Sequence, residues 1–271
     1  MPELPEVETT VRGLTPVLLG RRLVTVEPRR ADLRKAIPPD LRQRMQGAVV
    51  TGLARRAKYG MIAIDRGDTL IFHLGMSGRW RVDPAERLVH DHLLLETDAG
   101  RAITLNDPRR FGFLDLVPTD ALGAYPPFVA MGPEPLGPDF NASHLSVALE
   151  GRAAPIKAML LDQRIVAGLG NIYVCEALHM ARIAPSRASG RISLFRLERL
   201  VEAVRAVLVS AIEAGGSTLR DFAAPDGELG YFSKQFLVYG REEQPCACGA
   251  PVRRRAESGR STFWCPRCQR S

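Results

Sequence analysis

The segment VVTGLARRAKYGMIAIDRGDTLIFHLGMSGRWRV, residues 49–82, decides the fold class of the N-terminal half. Its apolar runs are short, and turn signals such as Asp65-Arg66-Gly67-Asp68 separate them. Runs of the same kind continue on both sides. The candidate strands cover residues 23–27, 49–57, 61–64, 69–74, 78–82, 92–97, 101–105 and 112–117. This spacing predicts an antiparallel β-sandwich or barrel.

A helix precedes these strands and begins with Met1-Pro2-Glu3-Leu4-Pro5-Glu6. Apolar residues keep helical spacing after it, at Val7, Val11, Leu14 and Leu18. We expect removal of Met1, which leaves Pro2 with a free secondary amine. An α-amino group has a pKa of about 8, so part of it is unprotonated near neutrality and can attack an aldehyde-like carbon. Glu3 lies beside it and can pass protons.

The same residues also suit an ordinary acidic helix start. Pro5 lies near the first helical position, and Glu6 and Glu8 are favourable to the helix dipole. The first residues alone leave the catalytic and the structural interpretation open.

After a Pro- and Gly-rich stretch, the sequence pattern of the second half of the chain changes from that of short strands to that of helices. Residues 155–161 and 171–180 are candidate helices around a glycine-rich turn, and a long amphipathic helix follows from Leu194. Residues 217–240 are long and weakly patterned, which indicates a functional loop. The expected divisions are an N-terminal domain at 1–123, a hinge at 124–138, a helical domain at 139–240 and a tail at 241–271.

The tail carries four of the five cysteines, as Cys246-Ala247-Cys248 and Cys265-Pro266-Arg267-Cys268. Two cysteine pairs at this separation predict a β-hairpin that holds one structural Zn²⁺. Seven Arg against three Glu lie between Arg241 and Ser271. Arg260 is expected to project from the hairpin.

Composition narrows the class of protein. The 271 residues carry a net charge of +7, which favours a polyanionic partner. No apolar run approaches the ~20 residues of a membrane span, and no charged-then-apolar leader is present, so we expect a soluble cytoplasmic protein.

Five further motifs each allow two interpretations. Lys58, after Arg55-Arg56, either blunts a strand edge or reaches a DNA sugar. The turn 106–112, NDPRRFG, either is an ordinary turn or presents arginines to bases with Phe111 as a wedge. Met76, between two glycines, either fills the core, as methionines in strands usually do, or acts as a second wedge. His90 and His92 are expected on one strand face, where DNA contact or plain surface fits better than a metal pair.

The glycine-rich turn 163–173, QRIVAGLGNIY, is the last of these motifs. Its backbone N–H groups at a helix start suit an anion cradle, and Asn171 either caps the helix or binds phosphate. A plain helix–helix connection is the alternative.

Together these motifs resemble the formamidopyrimidine-DNA glycosylase family of base-excision repair enzymes. The resemblance runs through the whole chain, at 2–8, around Lys58, and at 73–78, 107–112, 168–173, 230–232 and the cysteine tail. It implies an α+β multidomain fold: an N-terminal antiparallel β-sandwich with flanking helices, a helix–two-turn–helix domain and a β-hairpin zinc finger. The sequence departs from the family pattern at the Cys246-x-Cys248 pair, which is one residue shorter than usual, and at Arg182 and Ala184, where the family tends to have smaller or different residues.

The resemblance also implies a role for each matching residue. Pro2 would attack the sugar C1′, Glu3 would act as acid and base, and Lys58 and Arg260 would assist β- and δ-elimination. Met76, Arg109 and Phe111 would fill the void left by the flipped base, and residues 217–239 would cover it. The other expected DNA contacts are His73, His90, Arg110, Arg152 and Asn171.

The expected function is excision of oxidised purines, such as 8-oxoguanine and formamidopyrimidines, followed by strand nicking. The partner would be double-stranded DNA with an oxidised base or abasic site, bound by a monomer. An endonuclease VIII-like enzyme for oxidised pyrimidines is one alternative, although Leu4 and the 107–111 turn resemble the purine branch. A non-catalytic DNA-binding protein is the other, and it would not need Pro2-Glu3.

Overall fold

The computed structural model describes residues 2–218, 223–257 and 259–270. The chain forms two compact units. One comprises Met1–Val129 with Ala214–Ser233, and the other comprises Ala130–Glu213 with Lys234–Ser271. The boundary at Val129 falls within the segment predicted as a hinge; the four-part division itself stays a prediction.

The first unit contains two four-stranded antiparallel sheets in its described residues. One has the order β1-β6-β7-β5 and the other β2-β3-β4-β8. The strands are β1 (Leu23–Pro28), β2 (Val50–Arg56), β3 (Tyr59–Ile64), β4 (Asp68–His73), β5 (Arg79–Val82), β6 (Asp91–Thr97), β7 (Ala102–Asn106) and β8 (Phe113–Pro118). Each predicted strand is present within one or two residues, which confirms the N-terminal β-sandwich prediction.

Helices flank these sheets. The helix α1 (Leu4–Leu18) continues through Pro16, and α2 (Leu41–Met45) is a short helix that the sequence reasoning missed. Val7 and Leu14 of α1 belong to the same apolar core as residues of both sheets. The rings of Phe72 and Trp80, on β4 and β5, meet edge-on with centroids 5.4 Å apart. The sandwich therefore has one core, with α1 fixed against it.

The second unit is helical and ends in a β-hairpin. Its described helices include α4 (Ala142–Leu149), α5 (Ile156–Leu161), α6 (Asn171–Met180) and α7 (Leu194–Glu213), and the short α3 (Pro126–Val129) precedes them in the first unit. The hairpin pairs β9 (Arg253–Glu257) with β10 (Arg260–Trp264). The sequence predicted α5, α6, α7 and the hairpin, but not α4.

A small apolar cluster joins α6 to the hairpin. Cys175 of α6 is buried in it together with Val252 and Phe263. Glu176, also buried, accepts three backbone N–H groups from Leu237, Val238 and Tyr239 at 2.8–3.0 Å. The hairpin and the segment before it are thus fixed to one helix of the helical module.

Candidate functional site

The start of α1 is buried and held by a carboxylate one turn further on. Pro2 and Glu3 are both buried. Glu6, only 2% exposed, accepts the Glu3 N–H at 2.8 Å through Oε2 and the Ser217 N–H at 2.8 Å through Oε1. The predicted catalytic residues therefore have a fixed backbone position. That position is tied to the start of the loop predicted to cover the lesion, of which residues 219–222 lie outside the described part.

Lys58 lies in the tight turn between β2 and β3. Ala57 before it has a φ of +52°, and the Arg55 guanidinium donates to the Ala57 carbonyl at 3.0 Å. Arg55 is itself held by Glu8 of α1 at 2.9 Å. Lys58 is half-buried and close enough to His73 to influence its ionisation. The turn is thus braced from α1 instead of forming a loose charged edge.

His73, at the end of β4, is a neutral hydrogen-bond donor. Burial, and next the positive charges of Lys58 and Arg34, lower the pKa of His73 to about 4. Its Nδ1 accepts the Gly75 N–H at 3.0 Å, so the ring proton is on Nε2. The ring stacks on Phe113 with centroids 5.5 Å apart. A neutral N–H of this kind suits a phosphate oxygen.

The glycine turn at 75–78 and the turn at 107–112 form one unit. The Ser77 hydroxyl donates to Asp107 Oδ1 at 2.6 Å and accepts the Arg109 N–H at 3.2 Å. The other oxygen, Asp107 Oδ2, accepts the Gly112 N–H at 2.8 Å. A Cβ on Gly75, whose φ is +62°, would lie 2.3 Å from the Phe111 carbonyl carbon, so only glycine fits.

This pair of turns presents the predicted wedge residues together. Met76 is 37% exposed and Phe111 is 44% exposed. The Arg109 guanidinium lies 4.9 Å from the centre of the Phe111 ring. Arg110 is exposed with a φ of +57°. Met76, Arg109 and Phe111 thus share one surface, as insertion into a base stack requires; their roles stay predictions.

The rings of His90 and His92 lie close together, with centroids 6.2 Å apart, although only His92 belongs to a strand. The strand β6 begins only at Asp91, which leaves His90 exposed before it. His92 turns inward, and its Nε2 lies 2.9 Å from the Asp107 carbonyl oxygen. Among the described residues, the only group that could hold a metal consists of the four tail cysteines. His90 remains a predicted DNA contact and His92 supports the 107–112 turn.

Asn171, a predicted DNA-contact residue of the second unit, contacts the return strand of the hairpin. Asn171 is the first residue of α6, and Gly170 occupies the N-cap, so the capping interpretation is wrong. Its side-chain amide donates to the Ser261 carbonyl at 2.9 Å. Lys157, buried and not recognised from the sequence, donates to Thr262 Oγ1 at 2.7 Å and to the Ser261 carbonyl at 3.2 Å. Arg260, exposed, immediately precedes this anchored pair.

The glycine-rich turn uses part of its own hydrogen-bonding capacity. The Gly168 N–H donates to Gln163 Oε1 at 2.8 Å, and Gln163 Nε2 donates to the Leu169 carbonyl at 2.9 Å. An anion cradle here would therefore not use the Gly168 N–H. Arg152 is exposed and lies in a turn. The backbone N–H of Gly190 holds this turn by donating to the Arg152 carbonyl at 2.9 Å.

The four tail cysteines match the donor set of a structural zinc site. Their sulfurs lie within 4.8 Å of one another. The pairs Cys246–Cys268 and Cys248–Cys265 are separated by 3.9 and 3.5 Å, near the ~3.8 Å expected between thiolates at about 2.3 Å from a tetrahedral Zn²⁺. A backbone hydrogen bond from Ala250 lowers the pKa of Cys248 to about 7, whereas burial raises the pKa of Cys265 and that of Cys268, so a bound Zn²⁺ would have to displace protons from these two thiols.

No helix in the described ranges is both long enough and apolar enough to cross a membrane.

Comparisons with known proteins agree over the full length. Residues 1–114 match the model of the formamidopyrimidine-DNA glycosylase N-terminal domain, and residues 131–223 match the formamidopyrimidine-DNA glycosylase H2TH domain. Proteins named formamidopyrimidine-DNA glycosylase from Rhizorhabdus wittichii and Novosphingobium aromaticivorans are 69% and 62% identical, each over 100% of both chains.

Solved structures show the same architecture. A Lactococcus lactis Fpg mutant in complex with a Fapy-dG containing DNA has a TM-score of 0.92 and 34% identity, with 100% of both chains covered. The MutM (Fpg) protein of Thermus thermophilus has a TM-score of 0.87 and 41% identity, covering 99% of this chain and 98% of that one. A further L. lactis Fpg structure, with an abasic site containing DNA, has a TM-score of 0.92 and 34% identity, with 100% of both chains covered.

Proposed function

Since this chain belongs to the formamidopyrimidine-DNA glycosylase family of DNA repair enzymes, we propose that it excises oxidised purines and then nicks the strand. The substrates would be 8-oxoguanine and formamidopyrimidine lesions in double-stranded DNA, and abasic sites. The observation that carries the proposal is the buried Pro2-Glu3 start, which Glu6 fixes to the first residue of the predicted lesion-covering loop. The protein would act as a monomer in the bacterial cytosol.

The proposed reaction begins at the amine of Pro2, which requires that Met1 be removed. The nitrogen lone pair attacks the sugar C1′, the bond from C1′ to the base breaks, and the base leaves with a proton. The Glu3 carboxyl group protonates the ring oxygen as the sugar opens, which leaves a positively charged iminium between Pro2 and C1′. Because a secondary amine cannot lose a second proton, the iminium keeps its charge.

The iminium then serves as an electron sink for strand cleavage. Loss of a proton from C2′ sends electrons toward it and expels the 3′-phosphate, and a second elimination expels the 5′-phosphate. Lys58 and Arg260 are the residues we assign to these two steps. Water finally hydrolyses the iminium and releases Pro2.

A base inside a duplex must leave the stack before this chemistry, at a cost of a few kcal/mol. The exposed side chains of Met76 and Phe111, on adjoining turns, and the Arg109 guanidinium over the Phe111 ring support a wedge that occupies the vacated space. His73, His90, Arg110, Arg152 and Asn171 would hold the distorted backbone.

Zinc would belong to the finger and not to the reaction. Cys246, Cys248, Cys265 and Cys268 would hold one Zn²⁺ that fixes the hairpin and so the position of Arg260. Arg260 is the first residue of the strand β10, which Lys157 and Asn171 anchor.

Borohydride trapping tests the proposal. The protein is reacted with duplexes that carry 8-oxoguanine, an oxidised pyrimidine or no lesion, and the trapped peptide is sequenced by mass spectrometry. We expect an adduct on Pro2, formed fastest with 8-oxoguanine, and its loss in Glu3→Gln protein that still binds damaged DNA within about tenfold. Binding without any adduct would favour a non-catalytic protein, and faster reaction with the pyrimidine lesion would favour the endonuclease VIII-like alternative.

A further inference from the structure

Cys246, the first residue of the shortened cysteine pair, has a polar neighbour outside the four-cysteine motif. His179, near the end of α6, places its Nε2 3.3 Å from the sulfur of Cys246. It is not one of the four residues whose ligand atoms cluster closely enough to hold a metal. His179 therefore contacts a metal ligand from outside the cluster.

The hydrogen-bond support of the sulfurs is unevenly distributed. Cys265 accepts the backbone N–H of Cys268 at 3.5 Å, and Cys248 accepts that of Ala250. A single residue separates Cys246 from Cys248, which leaves no room between them for the longer turn that usually supplies such N–H groups. The side chain of His179 approaches the sulfur at this shortened end of the site.

The chemistry of a zinc-bound sulfur decides the direction of this hydrogen bond. A thiolate has no proton and can only accept, so Nε2 must carry the hydrogen. The other ring nitrogen, Nδ1, is buried and has no hydrogen-bond partner among the described residues. Burying an unpaired N–H at Nδ1 would cost more free energy than burying an unprotonated nitrogen, which also places the ring proton on Nε2.

We propose that His179 is a positioning residue for the zinc site, whose Nε2–H donates to Cys246 and replaces the support that the shortened pair lacks. The inference rests on the zinc site of the proposed function. It assigns α6 a second role, because the helix that begins with Asn171 would also hold the zinc ligand Cys246 through its last turn. Loss of such a partner typically weakens metal binding by about 10- to 100-fold.

The test uses full-length protein and measures zinc directly. Zinc content of the purified wild type is determined first, and zinc affinity is then measured by competition with a chromophoric chelator in wild type, His179→Phe and His179→Gln. Phe keeps the ring without a donor, whereas Gln retains an N–H near the position of Nε2. His144→Phe is the control, because His144 bonds the Ile165 carbonyl at 2.8 Å in the same unit without contact to the cysteines.

We expect about one zinc per chain, a roughly 10- to 100-fold weaker affinity in His179→Phe, and values within about threefold of wild type for His179→Gln and His144→Phe. Equal affinity of His179→Phe and wild type would overturn the proposal while leaving the zinc site intact. A metal-free wild type would remove the zinc site and the proposal together. Cobalt-substituted wild type should show the charge-transfer absorption of four thiolates; a three-thiolate spectrum that changes in His179→Phe would make His179 a ligand and also overturn it.

Discussion

Replacing Glu6 by glutamine tests whether one buried carboxylate organises the predicted catalytic start. Glu6 accepts two backbone N–H groups at 2.8 Å, one from Glu3 and one from Ser217, which is 211 positions away in the chain. Both hydrogen bonds are buried. The substitution keeps the volume of the side chain and removes its charge and one acceptor oxygen.

The magnitude follows from the geometry of these two bonds. A hydrogen bond to a charged group contributes about 1.5–3 kcal/mol, and a glutamine oxygen can replace only one of the two acceptors while its NH₂ group opposes the other N–H. We expect the local free energy of opening to fall by about 2–4 kcal/mol. That change corresponds to roughly 30- to 700-fold faster amide exchange at Ser217.

Hydrogen exchange read by NMR or mass spectrometry measures this effect at the affected amides. Glu8→Gln is the matched control on the same helix, since Glu8 is partly exposed and pairs with Arg12 and Arg55 at 2.9 Å. A partly exposed ion pair contributes up to about 1 kcal/mol, so the control should change exchange at Ser217 little.

A functional result should accompany the exchange result. Because Glu6 holds the backbone of Glu3, Glu6→Gln should slow base excision more than it weakens binding to damaged DNA. If exchange at Ser217 in Glu6→Gln stays within threefold of Glu8→Gln, the carboxylate does not hold the two segments and the reasoning fails.

Three further predictions concern the turns of the first unit. The pKa of His73 is lowered to about 4 from an unfolded value near 6.5. The neutral ring therefore contributes about 3 kcal/mol to the free energy of unfolding above pH 6.5, and this contribution is lost as the pH falls toward 4. A proton NMR titration of the ring with a midpoint above 6 would contradict this. Ser77→Ala should lower the free energy of unfolding by about 1–3 kcal/mol, because the buried Asp107 oxygen at 2.6 Å loses its donor, and urea denaturation without any loss would refute the link between the two turns. Arg110→Ala should reduce the slope of log affinity for DNA against log salt concentration by about 0.9. Arg101→Ala is the control and should leave the slope unchanged, because the Arg101 side chain is paired with Asp83. Equal slopes in the two variants would show that Arg110 holds no phosphate.

Local sequence patterns predicted most of the secondary structure. Short apolar runs between turn signals predicted all of the strands β1 to β8. A strand needs only a few apolar or β-branched residues with a turn on each side, so its pattern is visible in a short segment. The helices α1 and α7 followed from apolar residues at helical spacing. The helices α2 and α4 were missed because five and eight residues carry too little periodicity to stand out.

Motif spacing also predicted the cysteine cluster, whereas the placement of Met76 beside Phe111 was implied only by the resemblance to the family. The four cysteines need only a hairpin to bring them together, and the sequence contains one. Asn171 was placed correctly at a helix start, but the sequence did not determine whether it caps that helix, because Gly170 could occupy the cap equally well.

The partners of buried polar groups were decided by the tertiary structure alone. From the sequence, Glu6 is only a helix-start residue, and the fold brings the Ser217 N–H into hydrogen-bonding distance of it. Lys157 has the sequence pattern of a surface charge, but in the fold it donates to Thr262, 105 positions later. His179 has no signature in the sequence, because its partner Cys246 is 67 positions away. Periodicity and spacing record which residues are near each other along the chain. A buried hydrogen bond depends on which groups the packed core leaves without water, and that is settled only when the chain has folded.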